Sequence, residues 1–263
     1  MRLFGEHLNL HKNYNNILRN IYIMAAKKSF FTTLKHWLKK FFFFCLISSL
    51  LYVILCLWII PPATITQIEN LFTYNLKRNY VSWNDISYNV KLAAIASEDQ
   101  AFPDHNGFDW DAIQKSLHPK KKNKKTKIPL GGAASTISQQ TAKNVFLWQG
   151  AGTIGKVIRK IPEFYFTALI ELIWRKKRIL EVYLNVIEMG PGIFGIEAAA
   201  QHYFHKSAKN LTREEAAKII ACLPNPKIFS VVPMSRRVAW RYPQILQQMY
   251  NIEDDEDIQA IIK

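Results

Sequence analysis

Residues 159–190 read RKIPEFYFTALIELIWRKKRILEVYLNVIEMG. Apolar side chains return at Leu169, Leu172, Ile173, Ile179, Leu180 and Tyr183, with charged residues interleaved from Glu171 to Glu181. That is a helical period, not the alternation of a strand. Pro162 suits the first turn of a helix, and Gly190-Pro191-Gly192 ends the run. The same period extends outward. Between Asp85 and Glu98 it passes through Ile86, Val90, Ala93, Ala94 and Ser97, and Pro103 and Gly107 stop it. Thr212 and Glu215 form a capping box that opens another helix to about Leu223. No segment alternates strongly and no repeat recurs, so the fold class expected is mainly α.

The chain has 263 residues, 49% hydrophobic, with a formal net charge of +15. The charge calls for an anionic partner: nucleic acid, an anionic membrane surface or a phosphate-bearing substrate. Three cysteines (Cys45, Cys56, Cys222) give neither a disulfide framework nor zinc spacing. Residues 41–60, FFFFCLISSLLYVILCLWII, carry no charge and are long enough to cross a bilayer as a helix. Lys27, Lys28, Lys35, Lys39 and Lys40 precede them, and no basic residue follows until Lys77. The excess of positive charge on the N-terminal side places the N-terminus in the cytoplasm and everything after residue 60 outside. No signal-peptidase site ends the run, so an uncleaved anchor is expected. This placement removes nucleic acid as a partner. The expected organisation is a basic cytoplasmic segment (1–40), a transmembrane anchor (41–60), a linker (61–80), a helical catalytic domain (81–250) and a C-terminal tail (251–263). Translation is expected to start at Met1 or at Met24, where Met-Ala-Ala-Lys-Lys makes a natural beginning.

The chemistry concentrates in two places. Residues 97–109, SEDQAFPDHNGFD, put Glu98 and Asp99 at a helix C-terminus. There the negative end of the dipole and the neighbouring acid raise the Glu98 pKa, which suits a general base. Glu163 follows Pro162 in the expected first turn of another helix, beside Arg159 and Lys160, where its anion is favoured; one site then has two carboxylates of different acidity. Residues 131–144, GGAASTISQQTAKN, place a capping box of Thr136 and Gln139 at a helix start. Gln139 with Lys143, and Gln140 with Asn144, are spaced four apart, so amide, ammonium and hydroxyl groups gather near free N–H groups. A capped helix and an anion site both fit. The six lysines of residues 118–132 read as a solvated loop or a basic flap. A phosphate-binding P-loop, a G-x-S-x-G elbow and an S-x-x-K pair are absent. His202 and His205 have no partner at ligand spacing.

In this order the motifs resemble those of the family-51 glycosyltransferases, the bacterial peptidoglycan polymerases. The resemblance rests on Glu98, Asp99, Phe102, His105, Gly107 and Asp109, then on Ser135 to Gln140 with Lys143-Asn144. It continues through Arg159-Lys160 with Glu163, residues 178–185 (RILEVYLN, with Arg178, Glu181 and Asn185), and Ala198 to Phe204. The departures are Ala133-Ala134 between the glycine pair and Ser135, a glycine-rich segment at 150–155, and a long lysine run.

The resemblance implies a lysozyme-like, two-lobed helical domain behind one transmembrane helix in the bacterial inner membrane, acting on lipid II and the nascent glycan strand. It implies that Glu98 takes the proton of the acceptor's 4-hydroxyl in a single inverting step that forms a β-1,4 link and releases undecaprenyl pyrophosphate. Glu163, Lys143, Arg159 and Lys160 would assist the pyrophosphate, with Lys156 as a further basic candidate and Asp99, Thr136, Gln139, Gln140 and Asn144 toward the substrate. Phe102, His105, Gly107 and Asp109 would shape the loop. No cofactor is required, and there is room for a divalent cation, magnesium or manganese. Anionic lipid and other cell-wall synthesis proteins are further expected partners. Residues 145–148 (VFLW) could dip into the membrane or belong to the core. With 263 residues, no transpeptidase domain is expected beside the helical one. Two other functions fit an acid in a helical cleft: a lysozyme-like glycan-cleaving enzyme, and a non-enzymatic membrane-anchored scaffold that binds anionic lipid.

Overall fold

The computed structural model describes Met24 and residues 32–117, 135–149 and 152–263. The basic pair Lys27-Lys28, the lysine-rich segment and the glycine pair of the sequence reading lie outside the described residues. The chain divides into two compact units between Tyr52 and Val53.

The first unit carries most of helix α1 (Thr32–Leu55), which is long and apolar enough to cross a membrane. At about 1.5 Å per residue its 24 residues span about 36 Å. The helix begins before the apolar run of 41–60 and ends before it. Residues 56–60 turn out of the helix toward Pro61 and Pro62, since a residue preceding proline is pushed from the α region. Two carbonyls at this end have partners in the second unit, to which they belong. Val53 O accepts from Trp174 Nε1–H at 2.9 Å, and Cys56 O accepts from Arg178 Nε–H and Nη2–H at 3.1 and 2.9 Å.

In the second unit, residues 61–80 are not the expected linker. Helix α2 (Ile65–Leu71) opens with a Thr64/Gln67 capping box and packs on a later helix, and strand β1 (Lys77–Arg78) follows. Beyond these come α3 (Tyr88–Glu98) and α4 (Trp110–Leu117). Next are α5 (Ile137–Phe146), α6 (Gly152–Ile173) and α7 (Lys176–Val186). Strands β2 (Glu188–Gly190) and β3 (Ile193–Phe194) complete a three-stranded sheet of order β1-β3-β2. Then come α8 (Ile196–Phe204), α9 (Arg213–Ile220), α10 (Arg236–Ile252) and α11 (Glu256–Ile262). The expected C-terminal tail is thus a helix, with Ile258 and Ile262 buried.

Packing makes two groups. Helix α5 lies against α6 and α7, while α3 lies against α9 and α10. They meet where the C-terminus of α3 faces the N-terminus of α5, over Phe102, Ile137 and Tyr183, all fully buried.

Helix α6 corrects two sequence readings. Pro162 sits in its interior, not its first turn, because the helical period continues back through Ile161, Ile158 and Ile154 to Gly152. The helix is also amphipathic in the inverted sense. Its buried positions are Arg159, Glu163, Thr167 and Ile170, whereas Ile154, Val157, Ile158, Ile161 and Leu172 are each more than half exposed. The apolar 145–148 stretch does the opposite. Val145 and Leu147 are buried and Phe146 stacks on Phe166 at 4.5 Å, so these three belong to the core, while Trp148 keeps an exposed edge.

Candidate active site

Helix α3 ends at Glu98 and Asp99 is its C-cap. The two adjacent carboxylates have separate surroundings. Asp99 is buried; it accepts from His105 Nε2–H at 3.0 Å and from the Ile137 amide, the first of α5, at 2.9 Å. His105 Nδ1 accepts from the Gly107 amide at 3.0 Å, which places the ring proton on Nε2, toward Asp99. An anion at a helix N-terminus is stabilised by the free N–H groups and the dipole. Asp99 therefore ties the loop after α3 to the start of α5. Gly107 closes the same loop at φ 91°; a Cβ there would meet Thr167 Cγ2 at 2.8 Å and Glu171 Cγ at 2.9 Å. Phe102 is buried beneath the Lys176 ammonium, 4.7 Å from the ring centroid, and the Asp109 carbonyl begins α4 by accepting from Ile113 N–H at 3.0 Å.

Glu98 is half-buried. Its Oε1 accepts from Ser97 Oγ–H and its Oε2 from Gln140 Nε2–H, both at 3.1 Å. Burial raises its pKa; the two hydrogen bonds and the Arg241 guanidinium oppose the rise, and Asp99 adds the smallest contribution. The direction matches the sequence reading, but burial leads and the Asp99 charge contributes least.

The Thr136/Gln139 capping box forms as spaced. Thr136 Oγ1 accepts from the Gln139 amide at 3.1 Å and donates to Gly107 O at 2.7 Å, and both residues are buried. Their polar groups hold the helix start. Asn144, also buried, donates to Gln140 O at 2.8 Å.

Glu163 is 1% exposed and lies between Lys160 Nζ at 2.6 Å and Arg159 Nε at 3.4 Å. Arg159 also donates to the carbonyls of Trp148 and Gln149. A buried carboxylate with a cation beside each oxygen holds those cations in place. Lys143 differs. Among the described residues no hydrogen bond or ion pair reaches its ammonium, which lies within electrostatic range of both Glu98 and Glu163. Burial lowers its pKa, with Arg159 next in effect. An unpaired, desolvated cation a short way from a raised carboxylate is a place for an anionic group. Lys156 is exposed on α6. Arg178, Glu181 and Asn185 are structural: Arg178 pairs with Glu181 at 2.7 Å, Glu181 accepts from the Trp83 amide at 2.8 Å, and Asn185 brackets Val81.

A hard divalent cation needs several oxygen ligands. Among the described residues no group of three or more His, Cys, Asp or Glu could hold a metal, and Glu163 is already flanked by cations, so these side chains alone do not form a cation site.

Two contributors escaped the sequence reading. Arg241, from α10, donates to Ser97 O at 3.3 Å and lies in the field of Glu98, though far from it in sequence; no local pattern marks it. Tyr183 counted there as one apolar position of a helix, but its hydroxyl donates to Gln140 Oε1 at 3.3 Å.

The transglycosylase family matches residues 64–250, and the chain belongs to this family. It is similar to the biosynthetic peptidoglycan transglycosylase of Haemophilus influenzae, 46% identical over 246 residues, which cover 87% of this chain and 97% of the relative. The proteins of the same name from Shewanella oneidensis (45% over 231 residues; 86% and 94%) and Bdellovibrio bacteriovorus (42% over 229 residues; 84% and 88%) are similar in the same way.

Proposed function

We propose that this chain polymerises peptidoglycan glycan strands from lipid II, with Glu98 as the general base. Membership of the transglycosylase family and relatives named for peptidoglycan synthesis over nearly their whole length support the activity. One observation carries the assignment of the base: Glu98 is half-buried with a raised pKa, held on both oxygens, while Lys143, unpaired among the described residues, lies within its field. A base is most effective when its pKa approaches the working pH.

In the reaction, Glu98 takes the proton of the acceptor's 4-hydroxyl as that oxygen attacks the donor's anomeric carbon. The bond from that carbon to the lipid pyrophosphate breaks on the opposite face, so α becomes β in one displacement and no sugar–enzyme bond forms. The departing pyrophosphate gathers negative charge. Lys143 meets it, and Arg159 and Lys160, held by Glu163, extend the positive field. Glu163 acts through those cations.

The substrate is a lipid, and two features suit a membrane. Helix α1 can cross it, with the N-terminus cytoplasmic and the catalytic unit outside, at the bacterial inner membrane. The exposed apolar positions of α6, interleaved with exposed Lys156 and Lys160, suit an interface with anionic lipid, since a helix with an apolar face and basic flanks lies at such a surface.

Labelled lipid II given to purified protein tests the activity. The parent makes long, lysozyme-sensitive glycan. Glu98→Gln folds and binds lipid II but loses about 100- to 10,000-fold in rate; polymerisation at the parental rate by this variant removes Glu98 as the base. Fragment release from finished glycan would point instead to a cleaving enzyme.

A further inference from the structure

We propose that Tyr183 is a positioning residue for Glu98, acting through the side-chain amide of Gln140. The inference rests on the proposed role of Glu98 only for its kinetic consequence. Gln140 Nε2 donates to Glu98 Oε2 at 3.1 Å and to Ser135 O at 3.4 Å, and Gln140 Oε1 accepts from Tyr183 O–H at 3.3 Å. All three groups of the amide that face the site are therefore engaged. A glutamine amide can turn over and exchange its oxygen and nitrogen, and only its neighbours decide which way it lies. Glu98 as an anion is an acceptor only, and the Ser135 carbonyl is an acceptor, so both want the nitrogen. Tyr183 is the donor that claims the oxygen.

The hydroxyl has no alternative among the described residues. Tyr183 is fully buried on α7, and Gln140 is its one hydrogen-bond acceptor there. Burial and the nearby Glu98 and Asp99 charges push its pKa well above the ordinary tyrosine value, so it remains a protonated donor. With the amide turned over, Gln140 Oε1 would face the Glu98 carboxylate and its NH₂ would face the Tyr183 hydroxyl. Tyr183 thereby keeps a hydrogen-bond donor on the very oxygen pair that must accept a proton, and the two residues are brought together only by the packing of α5 on α7. The titratable groups facing Glu98 are Asp99 on its own element, Lys143 from α5, Tyr183 from α7, Cys222 after α9 and Arg241 from α10. Of these, Tyr183 alone reaches Glu98 through a hydrogen-bonded amide.

The test is the titration of Glu98 itself in the full-length protein, followed by carboxyl ¹³C resonance and assigned by its disappearance in Glu98→Gln. Loss of a hydrogen bond to the charged carboxylate raises the titration of Glu98 by roughly one to two pH units. Tyr183→Phe and Gln140→Met should each produce that rise, and the double variant should rise no further than Gln140→Met alone, because Tyr183 works through Gln140. An unmoved titration in a folded Tyr183→Phe overturns the proposal, as do additive rises in the double variant. Should Tyr183→Phe fail to fold, an unmoved titration in Gln140→Met is equally fatal, since the path runs through that amide. The acid limb of the polymerisation rate follows the titration if Glu98 is the base; a titration that moves without the limb keeps the positioning role and rejects the base.

Discussion

Replacing Asp99 by Asn tests whether the junction of α3 and α5 depends on a charge. The carboxylate receives two donors, His105 Nε2–H at 3.0 Å and the Ile137 amide at 2.9 Å. The two side chains of the first pair are 9% and 4% exposed, so water does little to screen them. Asparagine supplies one acceptor and one donor where both neighbours are donors. His105 cannot adapt by moving its proton, because Nδ1 already accepts from Gly107. His105 Nε2 lies within hydrogen-bond distance of both carboxylate oxygens, at 3.0 and 3.1 Å, so an amide oxygen in the place of Oδ2 can still meet both donors, but only as a neutral acceptor, and the dipole of α5 loses its anion. A bond to a charged group contributes about 1.5–3 kcal/mol, and a loss near 3 kcal/mol is expected here, equivalent to roughly 6–12 °C in Tm at roughly 2–4 °C per kcal/mol. Thermal unfolding of the detergent-solubilised protein, followed by far-ultraviolet dichroism, measures it. The second variant is His105→Gln: with His105 gone, the further loss from Asp99→Asn should shrink, since the two residues share one network. A Tm within about 2 °C of the parent for Asp99→Asn would refute the account, because buried charged hydrogen bonds cannot be that cheap.

Three further outcomes are expected. Burial raises the Glu98 pKa in the folded state, so its contribution to stability is complete below the ordinary glutamate value and is lost as pH rises through the folded value; Glu98→Gln should therefore melt above the parent at neutral pH and not at acid pH, and equal melting at both would contradict the raised pKa. Gly107→Ala forces a Cβ against Thr167 and Glu171 at positive φ and should cost about 1–3 kcal/mol by denaturant titration; a neutral result would mean the loop is free to shift. An environment-sensitive dye on a cysteine placed at Ile158 should be quenched by brominated lipid in vesicles, and quenching by aqueous iodide alone would remove α6 from the membrane surface.

What the sequence could disclose was local. The capping boxes at Thr136/Gln139 and Thr212/Glu215 form where the spacing put them, because each is closed by residues three apart on one turn. The helical class, the apolar span and the family motifs were legible for the same reason. What joins distant segments was not. Nothing near Arg241 announces Ser97, and Tyr183 looked like one more apolar position until α7 met α5. Glu163 illustrates a subtler failure. Its neighbours were read correctly as cations, but a first-turn proline was assumed, and with the helix extended to Gly152 the carboxylate turns inward onto Arg159 and Lys160. The 61–80 stretch looked like a connector because α2 is only seven residues long, too short for a period to declare itself.

The clasp of Trp174 and Arg178 on the carbonyls of Val53 and Cys56 determines where the anchor can be cut away. A water-soluble fragment is most simply begun after the apolar run, at Pro61. That fragment would strip the acceptor from a Trp174 indole that is 3% exposed and from a guanidinium whose other partner, Glu181, fastens the Trp83 backbone. An orphaned buried donor costs about 1–3 kcal/mol. A fragment begun at Val53 retains both carbonyls at the expense of an apolar stub, so truncation trades solubility against integrity over eight residues, 53–60, which are membrane-like in composition yet carry the two carbonyls that Trp174 and Arg178 hold.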